Sequence, residues 1–333
     1  MKLATWRGGP KFSIDDVPEP SPGPRQALVA VQAAGICGTD VHATQGLFPW
    51  SPPMVMGHEY TGVVQAVGRG VSKKLIGRVV ACEPSYGCGA CGECAEGRVS
   101  QCPGCTRVGG FAERVVLPVT NLHPLPRGLD PVTAAMTEPA ACCLAGLEQS
   151  TIPRGATVLV LGGGIMGLLT MVLAGRRGAK RLVLSDPIAE RRAMAKRLGA
   201  AATIDPTTED LKKRVDELTK GRGADVVCEA VGKPELVAQA LTLVRPTGVL
   251  QLVGVNPKGS RLPLDLWDVH YREIRIHGAF GRGGAFRRAL ALMPKLGVKP
   301  LVTAKFPLAK IEDAFAHATA GRGVKTIVTP NGA

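Results

Sequence analysis

The sequence predicts a mixed α/β chain in two parts, an irregular β-barrel followed by a doubly wound parallel sheet. Two observations carry this. Residues 1 to about 150 hold short strand patterns cut by Gly and Pro, with little helical periodicity. From Pro153 onward, strand and helix patterns alternate as consecutive β–α units do.

In the first part, residues 27–32 (ALVAVQ), 61–67 (TGVVQAV), 78–81 (RVVA) and 113–117 (ERVVL) read as strands. The first sustained helical pattern covers residues 131–149. In the second part, strands are expected at 157–161, 181–184, 202–204, 224–228 and 249–255, with a sixth at 274–279. Between them lie helices at 165–175, 189–198 (stopped by Gly199), 209–219 and 234–244, the last with Pro in its first turn. The tail from about 297 reverts to strand, helix (311–320) and strand (325–329), and is expected to complete the first part. The expected domains are therefore 1–152 with 297–333, and 153–296.

Composition narrows the function. The chain has 333 residues, 45% of them hydrophobic, enough for packed cores rather than disorder. Net charge is +14, which raises nucleic acid as a partner. The cations are scattered, however, in small groups such as Arg176 with Arg177, and Lys212, Lys213 and Arg214. No long basic run or aromatic-interleaved patch occurs, so the reading is a solvated basic surface without a nucleic-acid site. Residues 156–175 carry no charge over a length that would span a bilayer, but a strand, a glycine turn and a helix explain them without a membrane. The opening MKLATWRGGPKF has no apolar signal core, and a cytoplasmic protein is expected.

Residues 158–167 read VLVLGGGIMG, placing Gly162-x-Gly164-x-x-Gly167, with Ile165 and Met166 inside it, between a strand and a helix. The first glycine permits the turn, the second lets backbone approach a pyrophosphate, and the third allows close helix–strand packing. The helix N-terminus favours the anion. Asp186 ends the next strand, where an acidic residue accepts hydrogen bonds from ribose hydroxyls and repels a 2′-phosphate. NAD is therefore expected over NADP. The competing reading makes Asp186 a helix cap, and Arg191 and Arg192 lie near enough in sequence to blunt the preference.

Ten cysteines are present, four of them at C-x2-C-x2-C-x7-C: Cys88, Cys91, Cys94 and Cys102. Four thiolates close a tetrahedral structural zinc site, and thiolate ligands imply a reducing compartment. Cys105 rivals Cys102 as the last ligand, and an iron–sulfur cluster is the competing chemistry. Upstream, GICGTDVH supplies Cys37, Thr39, Asp40 and His42, and GHE supplies His58 and Glu59. A thiolate, an imidazole and a carboxylate on glycine-flanked turns suit an open catalytic zinc.

These two motifs, the cysteine cluster and the nucleotide pattern together resemble the zinc-containing medium-chain alcohol dehydrogenase family across essentially the whole chain. The likeness is closest to its polyol, sorbitol and threonine dehydrogenase branch. The resemblance implies a GroES-like catalytic domain, a Rossmann domain, NAD, and one catalytic and one structural zinc. It implies Cys37 and His58 as catalytic-zinc ligands and Glu59 as the acid beside the metal, bound directly or through water. In TEPAACCLAG it implies Glu138 as the third ligand, with Cys142 and Cys143 as alternatives. Asp40 is implied to orient His58, and Thr39 and His42 to relay the proton of a zinc-bound alcohol. It further implies Val253, Gly254 and Val255 at the nicotinamide, Val231 and Gly232 at the adenosine, and Lys325 at the pyrophosphate. Phe48, Trp50 and Phe111 are implied in the substrate pocket.

Two departures stand out: a short stretch between Cys102 and Gly110, implying a trimmed zinc lobe, and Ala145 in place of a larger residue. The implied activity is reversible oxidation of a secondary alcohol or polyol by a homodimer or homotetramer, with no membrane partner. A zinc-independent quinone or enoyl reductase, or a non-catalytic NAD-binding protein, would use only part of this pattern.

Overall fold

The computed structural model describes residues 1–281 and 284–332. It divides into two compact units, 1–141 with 282–333, and 142–281. Residues 286–296, expected within the nucleotide-binding domain 153–296, form the helix Phe286–Leu296 and fall within the residues of the first unit.

In the first unit a seven-stranded sheet runs in the order Leu122–Pro124, Val79–Cys82, Glu59–Val67, Gln26–Gly35, Lys325–Thr329 and Val302–Pro307; Arg114–Pro118 also pairs with Gln26–Gly35. The C-terminal strands thus join the N-terminal ones, because Ile327 and Val328 pair with Gly35 and Ala34. A three-stranded sheet, Lys11–Asp16, Lys2–Gly8 and Met54–Val55, stands beside it. Between them the core gathers Val29, Val31, Tyr60, Phe111, Leu117 and Phe315.

Gln26–Gly35 and Glu59–Val67 run antiparallel in a register that sets Gly35 opposite Glu59. Each strand therefore delivers its metal-binding motif to the same end of the pair, Cys37 just after one strand and His58 just before the other. The predicted helix at 131–149 is two helices, Pro131–Ala134 and Thr137–Gln149. Asp130 starts the first, its carboxylate accepting the Thr133 N–H at 2.9 Å.

The second unit is a six-stranded parallel sheet in the order Ala202–Ile204, Arg181–Ser185, Thr157–Leu161, Ala224–Glu229, Val244–Leu252, Arg275–Gly278. The chain order reverses between the third and fourth of these, so Thr157–Leu161 and Ala224–Glu229 end side by side at a topological switch point. The charge-free stretch 156–175 is a buried strand, a glycine turn and the helix Ile165–Arg176, apolar all round because Leu168, Leu169, Met171 and Leu173 are enclosed. Among the described residues no helix is long and apolar enough to cross a membrane.

Candidate metal and cofactor sites

Cys37 starts the short helix Gly38–Thr44, and Asp40 closes that start by accepting the Cys37 N–H at 2.9 Å. The other oxygen of Asp40, which is fully buried, lies 3.4 Å from His58 Nδ1. One carboxylate thus holds the Cys37 backbone N–H and sits beside the His58 imidazole. Gly57 reaches His58 through a left-handed turn (φ 84°), where a Cβ would also meet the Phe111 ring at 2.9 Å. A Cys37 sulfur, a His58 nitrogen and a Glu59 oxygen then all lie within 4.8 Å of one another.

Electrostatics at this group follow from enclosure. Burial works against charge on His58, but Asp40 and Cys37 outweigh it and raise the imidazole well above its ordinary pKa. Burial raises the Glu59 carboxyl, opposed by Lys325 and His58 and reinforced by Glu138. Glu59 Oε1 is buried with no hydrogen-bond partner among the described residues. A buried orphaned carboxylate oxygen next to a thiol and an imidazole fits a divalent zinc ion. Glu138 is buried on Thr137–Gln149 and acts on Glu59 through charge, but it is not one of the three grouped donors. Cys143 is enclosed and donates to the Met166 carbonyl at 3.4 Å, a core thiol rather than a rival ligand.

The second metal group is Cys88, Cys91, Cys94 and Cys102, whose sulfurs also lie within 4.8 Å of one another. Zn–S bonds of about 2.3 Å in a tetrahedron require sulfurs about 3.8 Å apart. Cys88 and Cys102 stand at 3.7 Å. The backbone N–H groups of Ala90 and Cys91 bring the Cys88 thiol down to about 6, toward the thiolate form that a metal takes. Cys105 lies outside the group, its thiol 4.0 Å from the Thr106 carbonyl. The four donors leave no open position, which marks a structural zinc.

In the second unit each glycine of the turn meets a different constraint. Gly162 is left-handed (φ 100°), and a Cβ there would strike Val231 Cγ2 at 2.6 Å across the switch point. A Cβ at Gly167 would collide with the Gly162 carbonyl. A Cβ at Gly164, the cap of the helix Ile165–Arg176, would meet nothing within 4 Å. Open space over a helix N-terminus is the cradle a pyrophosphate needs. Asp186, 3% exposed, accepts the Gly163 N–H at 2.6 Å and the Ile188 N–H at 2.8 Å. It therefore ties the glycine turn to Ile188, the residue that precedes the following helix. Arg192 is occupied by the Asp186 carbonyl and by Asp205, both at 2.7 Å, while Arg191 comes within 3.8 Å of the Asp186 carboxylate.

The chain shares this combination with known proteins. A family model described as an alcohol dehydrogenase GroES-like domain matches residues 23–127, and one described as a zinc-binding dehydrogenase matches 166–295. The sorbitol dehydrogenase of Halalkalibacterium halodurans is 32% identical over 340 residues, covering 98% of each chain. The chain belongs to the zinc-binding alcohol dehydrogenase family. The L-threonine 3-dehydrogenase of Bacillus subtilis is 32% identical, covering 95% of this dehydrogenase and 94% of the relative. A zinc-binding dehydrogenase from Sinorhizobium meliloti 1021, solved bound to NADP, is 36% identical with a TM-score of 0.92, covering 99% of both chains.

Two expectations for this dehydrogenase require correction. Lys325, expected at the pyrophosphate, is 1% exposed on Lys325–Thr329; its ammonium forms an ion pair with Glu59 and donates to the Ile36 carbonyl at 2.8 Å. A cation enclosed and paired in this way is not presented to a solvent-borne phosphate. Phe111, expected in the substrate pocket, is fully buried against Gly57 and Phe315, so it is core. Phe48 and Trp50 remain half-exposed, and Trp50 meets the His58 ring edge-on at 6.0 Å.

Glu229 escaped the sequence reading. It is buried at the end of Ala224–Glu229 and accepts the N–H groups of Val231 and Gly232 at 2.8 Å, while its carbonyl accepts those of Val253 and Gly254 at 2.8 Å. The backbones of Gly232 and Gly254 touch, with no room for a Cβ at either. Val231, Gly232, Val253, Gly254 and Val255 are thereby gathered past the ends of two adjacent strands. The only signal in the sequence was an acid at a strand's end, which Asp186 also gives.

Proposed function

We propose that this dehydrogenase reversibly oxidises a secondary alcohol or polyol, such as a sugar alcohol, diol or hydroxy-amino acid, to the ketone, with NAD as hydride acceptor. The observation that carries the reading is the Cys37–His58–Glu59 group: three donors within 4.8 Å, fewer than a closed site needs. The names of the relatives, sorbitol dehydrogenase and L-threonine 3-dehydrogenase, support a hydroxylated substrate. The test is a panel of diols, polyols, sugars and hydroxy-amino acids, followed by NADH absorbance on protein carrying about two zinc per chain. Reduction of NAD by at least one class is expected; no reduction by any overturns the reading. The same panel with NADP tests Asp186, whose carboxylate disfavours a 2′-phosphate; equal or better kcat/KM with NADP removes that assignment.

Cys37, His58 and Glu59 would hold the catalytic zinc, with Glu138 buried nearby as the further ligand that the resemblance implies. Zinc, when bound, supplies the Lewis acidity that makes an alkoxide accessible near neutral pH. The protein's own groups then manage the proton. The Thr39 hydroxyl, 3.7 Å from the Cys37 sulfur, would take the substrate hydroxyl's proton. His42 follows three residues on along the same helix and hands the proton to solvent. Burial lowers the His42 pKa from its usual 6.5, so the neutral, proton-accepting imidazole prevails at pH 7. We expect His42→Ala to slow alcohol oxidation by about 10²-fold near neutral pH. The deficit shrinks in alkaline solution, where hydroxide takes the proton directly. A pH profile of kcat that is unchanged by the substitution discards the relay.

A homo-oligomer is part of this proposal. In the second unit Leu266, Trp267 and Tyr271 are about two-thirds or more exposed, and Trp267 stacks on Tyr271 at 4.3 Å. Arg275–Gly278 leaves one edge of the sheet unpaired among the described residues. An exposed apolar face beside an open strand edge suits a second copy of the chain. Light scattering on Trp267→Glu is expected to give a smaller particle than the parent protein gives. All cysteines among the described residues are free, which supports a reducing, cytoplasmic setting for the thiolate sites.

A further inference from the structure

Arg107 ends the short strand Thr106–Arg107, which pairs with Ser85–Tyr86 immediately after the cysteine lobe. Its guanidinium lies 4.9 Å over the centroid of the Trp50 ring. Trp50 also meets Phe48 at 5.1 Å and the His58 ring at 6.0 Å, each nearly perpendicular. Arg107 is exposed, and its guanidinium meets no hydrogen-bond acceptor and no carboxylate among the described residues. In this it differs from Arg98, Arg114, Arg192, Arg214, Arg245 and Arg272, each of which is paired with an acid.

Stacking on an indole face restrains a guanidinium without consuming its N–H donors. What remains is a planar fork of donors, oriented and unspent, which suits a carboxylate or a phosphate. One ring links that fork to His58, so the two contacts lie within the length of a single small molecule. A substrate whose hydroxyl is presented at His58 can carry its anionic group to Arg107.

We propose that Arg107, held on Trp50, determines substrate specificity by binding an anionic group of the alcohol, a carboxylate or a phosphate. This rests on the dehydrogenase reading of the same site and narrows its substrate class from polyols in general to anionic secondary alcohols. The aromatic partner sets the geometry, and the guanidinium supplies the charge.

The test uses zinc-loaded enzyme and matched pairs: a polyol against its phosphate monoester, and a diol against the hydroxy acid of the same length. Wild-type enzyme is expected to prefer the anionic member of one pair, and that pair identifies phosphate or carboxylate. Arg107→Ala is expected to raise KM for that anionic substrate about 10- to 100-fold, leaving its kcat and the neutral partner's constants within a few-fold. Arg107→Lys, which keeps the charge but loses the planar fork, is expected to fall between. Equal losses for anionic and neutral substrates, or a wild-type preference for the neutral members, overturn the proposal. A readout free of turnover separates it from the reading it rests on: calorimetric titration with inorganic phosphate and with acetate. Weaker binding of one anion by Arg107→Ala supports the anion site even if no alcohol is oxidised, and unchanged binding of both overturns it.

Discussion

Cys37→Ala is expected to retain about one zinc per chain where the parent protein holds two, and to lose at least about a thousandfold in kcat/KM. Three donors surround the open site, so deleting the thiolate removes the softest of them and leaves an imidazole and a carboxylate already paired with Lys325. The Cys88–Cys102 cluster belongs to another stretch of chain and fills its own coordination sphere, so its zinc should stay and the protein should remain folded. Metal analysis with circular dichroism therefore distinguishes loss of one site from loss of structure. The same experiment ranks the two glutamates. Glu59 is grouped with Cys37 and His58, whereas Glu138 lies outside that group and raises the Glu59 carboxyl through charge. Glu59→Ala should follow Cys37→Ala in losing zinc; Glu138→Ala should keep both ions and lose rate. A Cys37→Ala protein with two zinc ions and parental kinetics would dismiss the open site altogether.

The ranking of those glutamates shows where reading a sequence stops. Short motifs were legible because their function is fixed by neighbours in the chain. Gly162, Gly164 and Gly167 serve one turn, Asp186 ends the next strand, and four cysteines close one loop. Cys37 and His58 were legible as chemistry, although only the Gly35–Glu59 register explains how two separate motifs meet. What the sequence concealed depends on pairing across long separations. Lys325, implied at the pyrophosphate by the resemblance, has no acid near it in sequence; its partner is Glu59, reached through the strand pairing of Ile327 with Gly35. Phe111 looked like pocket lining and is core, since an aromatic residue beside glycines carries no mark of which side it faces. Helix Phe286–Leu296 has a strong apolar stripe, which identifies a helix but not the sheet it belongs to.

Lys325→Met is expected to destabilise the metal-free protein by about 3–5 kcal/mol, because it strips the counter-ion from a fully buried carboxylate. In a chain of this size that corresponds to a fall in Tm on the order of 10 °C. Gly35 is the local evidence that the pair is built in: a Cβ there would collide with the Glu59 carboxylate and meet Lys325 Cε at 2.6 Å. In the zinc-loaded protein the loss should be smaller, since Glu59 then has a second cation beside it. The thermodynamic cycle gives the sign of the remaining quantity. If the substitution costs the metal-free form more than the loaded form, zinc must bind the variant more tightly by the same free energy. Denaturation with and without a chelator, together with competition for zinc against that chelator, measures all four sides. Equal destabilisation of both forms, with unchanged zinc affinity, would mean that Lys325 only holds the strands together and has no influence on how Glu59 meets the metal.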